Sequence, residues 1–165
     1  MVTNDVLSNQ PVIKDDLIVI HNGIITNYLE VWDSIGLEPT TALDSELIPV
    51  LFQHYKNKGL SDNEAIEQIF NTCDGVISAI LIAPRAQKVF LFSNNGSLYY
   101  GFKEGCLYVS SENYPLTSIQ VQKVKQVFDL VSHDYEFHFG NIIVDDVVTK
   151  KRDYLLPEFK FILSR

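Results

Sequence analysis

His21-Asn22-Gly23-Ile24-Ile25-Thr26-Asn27-Tyr28 follows directly on Leu17-Ile18-Val19-Ile20, and this junction decides how the chain is read. The four residues before it are apolar and mostly β-branched, the composition of a short strand buried on both faces. After it, Tyr28, Leu29, Trp32 and Ile35 recur at helical spacing as far as Gly36, a residue suited to end a helix in the left-handed conformation. The junction thus predicts a strand stopped at Asn22-Gly23 and a helix over 25–35. Taken alone, Asn-Gly says only that a turn is present, and His21 alone reads as a satisfied core histidine.

Outward from the junction, residues 40–44 are a polar lead-in to a second helix. Leu47, Val50, Leu51 and His54 carry its period, with Pro49 tolerable in the first turn. Gly59 closes it. Ser61-Asp62-Asn63-Glu64 has capping-box spacing, and Ala65, Ile66, Ile69 and Phe70 form the inner face of a third helix. Beyond Asp74-Gly75 the pattern changes to strands over 76–83, 88–92, 97–102 and 106–110. Pro84-Arg85, Asn94-Asn95-Gly96 and Glu104-Gly105 separate them, which predicts an antiparallel meander. Residues 113–116 suggest one helical turn, and 125–130, 135–139 and 142–148 three further strands. One strand, three helices and a run of strands make an α+β fold. The domain is expected over 1–148. Residues 149–165, with Lys150-Lys151-Arg152 and Leu155-Leu156-Pro157, read as a tail or the start of a further segment.

The chain as a whole narrows the functional classes. Its 165 residues suit one domain with a sizeable core, and 46% hydrophobic with 21% charged residues is globular composition. A formal net charge of -8 argues against a nucleic-acid partner, which would need a basic surface. Cys73 and Cys106 have no metal-ligand spacing and read as two buried thiols. No apolar run approaches the roughly 18 residues of a membrane span, and residues 1–10 are too polar for a signal peptide. The default placement is cytoplasmic.

The longer pattern resembles the class II glutamine amidotransferases, N-terminal nucleophile hydrolases with a four-layer αββα fold. The residues that carry the resemblance are His21-Asn22-Gly23-x-Ile25-x-Asn27 after a buried strand, then Asp44-Ser45-Glu46-Leu47-Ile48 opening a helix. Asn9-Gln10-Pro11, Cys73-Asp74-Gly75-Val76, Asn95-Gly96-Ser97-Leu98 with Gly101, and Val109-Ser110-Ser111-Glu112 support the register. The wording is nearest to the glutaminase domains of glucosamine-6-phosphate synthases. The resemblance runs from about Asn9 to Leu116.

Several roles are implied. Glutamine hydrolysis builds negative charge on the carboxamide oxygen, and preorganised donors must meet it. By resemblance, the Asn22 side chain and the Gly23 N–H are the catalytic donors of an oxyanion hole. Gly23 and Asp44 are substrate-binding, Asp44 through the glutamine α-ammonium, although an Asp there also suits a helix N-cap. His21 is expected to support the turn from beneath. No metal or cofactor is implied.

Two family features have no counterpart in this sequence. The nucleophile is a cysteine at the mature N-terminus, whereas residue 1 is Met and Cys73 and Cys106 read as packing residues. The arginine segment that holds the glutamine carboxylate is also missing, since Arg85, Arg152 and Arg165 fall outside any such motif. The expectation is a domain incomplete at its N-terminus: a truncated amidotransferase, a degenerate binding or assembly module, or one piece of a split enzyme. A homo-oligomer or a partner chain with the missing segment would cover the exposed sheet edges.

Overall fold

The computed structural model describes residues 9–127 throughout and, at Tyr135–Glu136 and Lys160–Phe161, the backbone alone. Two sheets stack face to face. In the first, β2 (Leu17–Ile25) lies between β1 (Val12–Lys14) and β3 (Gly75–Ala83), and β4 (Lys88–Ser93) and β8 (Tyr135–Glu136) follow, all antiparallel. The second sheet has the order β7 (Gln122–Gln126), β5 (Tyr99–Lys103), β6 (Cys106–Ser110) and β9 (Lys160–Phe161), with β9 parallel to β6.

Strand alternation explains the layers. Leu17 and Val19 of β2, Ile77, Ala79 and Leu81 of β3 and Phe90 and Phe92 of β4 share one face. They pack against α1 (Tyr28–Ile35), α2 (Leu47–Asn57) and α3 (Asp62–Thr72), which contribute Trp32, Leu51 and Ile69. Ile80, Ile82, Val89 and Leu91 point the other way and meet Leu98, Tyr100, Leu107 and Val109 of the second sheet. The outer face of that sheet buries Tyr108 against Leu116 of α4 (Asn113–Ser118) and Val121. The order helices, sheet, sheet, helix is the expected αββα arrangement. Because the first sheet is covered on both faces, its strands read as unbroken apolar runs. Among the described residues no helix is long and apolar enough to cross a membrane.

Local punctuation was read correctly where the signal is local. Gly36 ends α1 with φ 68°, and its N–H bonds the Asp33 carbonyl. Ser61 and Glu64 form the capping box of α3. Three expectations are corrected. First, Asn22-Gly23 does not stop the strand: β2 pairs with β3 out to Ile25 opposite Gly75, and α1 starts only at Tyr28. The true stop is the Thr26-Asn27 corner, where the Asn27 carboxamide bonds the Thr72 carbonyl at 3.0 Å and the Asp74 N–H at 2.9 Å. Second, the four strands are not one meander. The chain changes sheets between β4 and β5, so the four strands split into one hairpin, β3–β4, in the first sheet and another, β5–β6, in the second. Third, the strand expected over 125–130 is Gln122–Gln126, drawn back by its pairing with β5. The strand expected over 142–148 and the boundary near Val148 lie outside the described residues.

Between α1 and α2 the chain makes a 3-10 turn, Asp44–Glu46, anchored by a buried carboxylate. Glu46 bonds Lys14 Nζ of β1 at 2.8 Å, the N–H groups of Thr40 and Thr41 at 2.9 and 2.7 Å, and both threonine hydroxyls. Burial alone would raise its pKa, but Lys14, Thr40 and Thr41 outweigh burial and hold it at about 2. The pKa is depressed, so this stabilisation is present above the ordinary value of 4.5 and is lost as pH falls towards about 2. Replacing Glu46 with Gln strands several donors beside a neutral group. We expect Glu46→Gln to lower the urea unfolding free energy at neutral pH by about 2–4 kcal/mol. The gap between variant and parent should close as the pH is brought down through that window; a gap unchanged by pH would contradict the anchoring role.

Candidate active site

The site forms where β2 outruns β1. In an antiparallel strand, a residue's N–H and C=O point to the same neighbour, and the direction alternates along the chain. The N–H groups of His21 and Ile25 both point to the β1 edge, so odd-numbered residues of β2 face it. At His21 that edge is closed by a side chain: the Gln10 carboxamide accepts from the His21 N–H at 2.7 Å and donates to its carbonyl at 2.6 Å. At Ile25 it is closed again, by Asp44, whose Oδ2 accepts the Ile25 N–H at 2.7 Å. Gly23 lies between these two closures.

The opposite strand gives the same answer. Gly23 sits across from Ile77. Ile77 spends its N–H and C=O on Asn94, at 2.9 Å each, on the β4 side. The Gly23–Ile77 pair is therefore a non-hydrogen-bonded one, and the Gly23 N–H points to the open edge. Along that edge Asp44 is met one step of about 7 Å, two residues of strand, further on.

Only glycine fits at position 23. Its φ is 156°, and a Cβ would stand 1.9 Å from the Val76 carbonyl oxygen and 2.7 Å from His21 Nε2. His21 occupies the room beneath it. The buried imidazole has Nε2 at 3.1 Å from the Val76 carbonyl and Nδ1 at 3.0 Å from Ser45 Oγ. Burial pushes its pKa below the ordinary histidine value, against the opposing pulls of the Val76 carbonyl and the Asp44 charge. It is thus neutral at physiological pH, and both nitrogens are engaged in holding the strand end.

Asn22 is exposed, opposite Ser78. Its carboxamide has no hydrogen-bond partner among the described residues, so its donors are unspent. Next to it runs a row of satisfied hydroxyls. Ser78 Oγ and Ser93 Oγ are 2.7 Å apart, and Asn95 Oδ1 accepts from both. Asn95 and Asn94 thereby fasten the loop that crosses between the sheets. Asp44 does not cap a helix, the other role its position allowed; neither the 3-10 turn nor α2 has a side-chain cap.

Cys73 packs in the helix-side core, and its thiol is pushed up to about 12 by burial, with the charges of Asp74 and Asp44 adding. It stays protonated and is no nucleophile at neutral pH. Cys106 is not the buried thiol expected: it is half-buried, packed against the far layer that holds Tyr108, Leu116 and Val121. Arg85 is mostly exposed and pairs with Asp16 at 3.0 Å. Among the described residues no cluster of His, Cys, Asp or Glu is placed to hold a metal ion. Asn22 and Gly23 lie near the end of β2, and Asp44, in the 3-10 turn, reaches that end through its bond to the Ile25 N–H. Gln10 and Ser45, which fix the backbone and the turn around them, were quoted only as parts of motifs and given no role.

The chain belongs to the glutamine amidotransferase domain family, which it matches over residues 2–118. Relatives include the glutamine–fructose-6-phosphate aminotransferases of Staphylococcus aureus (28% identity over 141 residues, 82% of this chain and 22% of the relative). That of Sulfurisphaera tokodaii is 24% identical over 100 residues, 59% of this chain and 17% of the relative. The chain thus spans about a fifth of the length of these curated relatives. Among solved structures, the glutamine phosphoribosylpyrophosphate amidotransferase of B. subtilis superposes with a TM-score of 0.61. It does so at 18% identity, over 77% of this chain and 30% of its own. That likeness shows the fold alone: the chain shares its layered α+β architecture with that enzyme.

Gly23→Ala tests the packing. The new methyl group would meet backbone, which cannot rotate away, so β2 and β3 must part locally. We expect a loss of about 2 kcal/mol or more in urea unfolding. A change within about 0.5 kcal/mol, the range of neutral surface substitutions, would contradict the close approach.

Proposed function

We propose that this domain binds L-glutamine at the end of β2 and serves, once a cysteine nucleophile is supplied, to hydrolyse it to glutamate and ammonia. The single observation that carries this reading is the open Gly23 N–H between two closed positions, with Asp44 one strand step away on the same edge. The glutamine carboxamide is four bonds from its α-nitrogen. An oxyanion at Gly23 and Asn22 then leaves the ammonium to reach Asp44. Gly23 and Asn22 meet charge that exists only in the tetrahedral intermediate, so they favour the transition state over bound glutamine. Asp44 already has its carboxylate oriented by Ile25, so little side-chain freedom is lost on binding.

The nucleophile and the carboxylate clamp are assigned to sequence outside these 165 residues. The two cysteines present are placed in packing layers, and Arg85 is paired with Asp16. A preceding segment or a partner chain of different sequence would supply them. Ammonia would pass to an acceptor; a sugar phosphate such as fructose 6-phosphate is the acceptor suggested by the relatives' names. We place the domain over 1–148 and in the cytoplasm.

Asp44→Asn tests the reading. We expect it to weaken L-glutamine binding by about tenfold or more, the worth of a charged hydrogen bond. Binding of 4-carbamoylbutanoate, which is glutamine without its amine, should change less than about twofold; calorimetric titration reads both. Equal losses for the two ligands, or none, would remove Asp44 from the ammonium site. In an assembly that turns over, Asn22→Ala should reduce kcat by about a hundredfold.

A further inference from the structure

Ser45 is buried between two acceptors and has one hydroxyl proton. Its oxygen is 3.0 Å from His21 Nδ1 and 3.3 Å from Asp44 Oδ1. His21 Nε2 faces the Val76 carbonyl, which can only accept, so Nε2 carries a proton in any state that keeps this bond. In the neutral ring Nδ1 is then an acceptor and takes the Ser45 proton. Asp44 Oδ1 is left free to receive an ammonium group. In the protonated ring Nδ1 becomes a donor to Ser45 Oγ, and the hydroxyl must turn to Asp44 Oδ1. The two states are mutually exclusive because the hydroxyl has a single hydrogen.

We propose that Ser45 is a positioning residue that passes the protonation state of His21 to Asp44, so that acidification weakens the grip on the glutamine ammonium. This rests on the glutamine-binding reading above and deepens it by naming what regulates that site. The charged and titratable surroundings do not supply a competing switch. Asp44 lies beside Ser45 in the 3-10 turn, and Glu46, one residue beyond, is neutralised by Lys14 of β1. At the α3–β3 junction lie Asp74 and the neutral thiol of Cys73, on which burial and the charges of Asp74 and Asp44 act. Burial lowers the His21 pKa from the ordinary imidazole value, so the effect lies on the acid side of neutrality.

The test is calorimetry with L-glutamine and with 4-carbamoylbutanoate between about pH 5 and pH 8, the histidine range. It is run on the parent chain, Ser45→Ala and Ser45→Thr, with nitrogen-15 NMR of the His21 ring and carbon-13 NMR of the Asp44 carboxyl. The parent should show Nε2–H with Nδ1 as acceptor at neutral pH. Its glutamine affinity should fall about three- to tenfold on acidification, the worth of one hydrogen bond, while the amine-free analogue stays level. Direct repulsion by the imidazolium acts in every variant, so the readout is the difference between variants. Ser45→Ala should lose most of the step, and Ser45→Thr should restore it. A step of the same size in Ser45→Ala, or a proton on Nδ1 at neutral pH, would overturn the proposal. If no glutamine binds at any pH while the Asp44 carboxyl shift still follows His21 through Ser45, the glutamine reading falls and the coupling stands.

Discussion

The site depends on a mismatch in strand length. β2 continues past the end of β1, so among the described residues its last residues pair with a strand on one edge only. An unpaired edge is ordinarily a liability, because its N–H and C=O groups seek partners. Here the edge is closed residue by residue, by Gln10 at His21 and by Asp44 at Ile25, and left open between them at Gly23. The rest of the helix-side layer serves to hold this pattern. Asn27 ties the corner after β2 to the α3–β3 junction, Glu46 ties the 3-10 turn to β1, and His21 fills the space beneath the glycine. A donor fixed in this way needs no reorganisation when charge develops in front of it.

How much of this was legible in the sequence follows from the range over which each signal acts. Gly36 and the Ser61–Glu64 capping box are settled within one helical turn, and both were read correctly. Asn22-Gly23 was read as a turn because that pair favours turns locally. Fifty residues later, Val76 and Gly75 provide pairing that carries the strand straight through. The glycine is required for a different reason: a carbonyl and an imidazole occupy its side-chain position. The change of sheet at Asn94-Asn95-Gly96 was equally hidden, since the same turn residues suit a hairpin. The asparagine side chains bind back to Ile77, Ser78 and Ser93 and send the chain across instead.

For the candidate site, the resemblance named Asn22, Gly23 and Asp44, and the geometry adds where each of them lies. Asp44 was open to reading as a cap; in the fold its carboxylate reaches back to β2. Ser45 and Gln10 bear no periodic or compositional signal, because their roles are single hydrogen bonds to residues distant in sequence. The same logic disposes of Cys73. A cysteine near an aspartate in sequence could suggest a reactive centre, yet burial and two negative charges make its thiol harder, not easier, to ionise.

The central claim is that the open end of β2 is the seat of a carboxamide. A crystal structure of the chain grown with L-glutamine measures it directly. The account predicts the carboxamide oxygen at about 3 Å from the Gly23 nitrogen and Asn22 Nδ2, with the α-nitrogen at a similar distance from Asp44. Glutamine seated on another surface, or the Gly23 N–H found bonded to a protein acceptor, would contradict it.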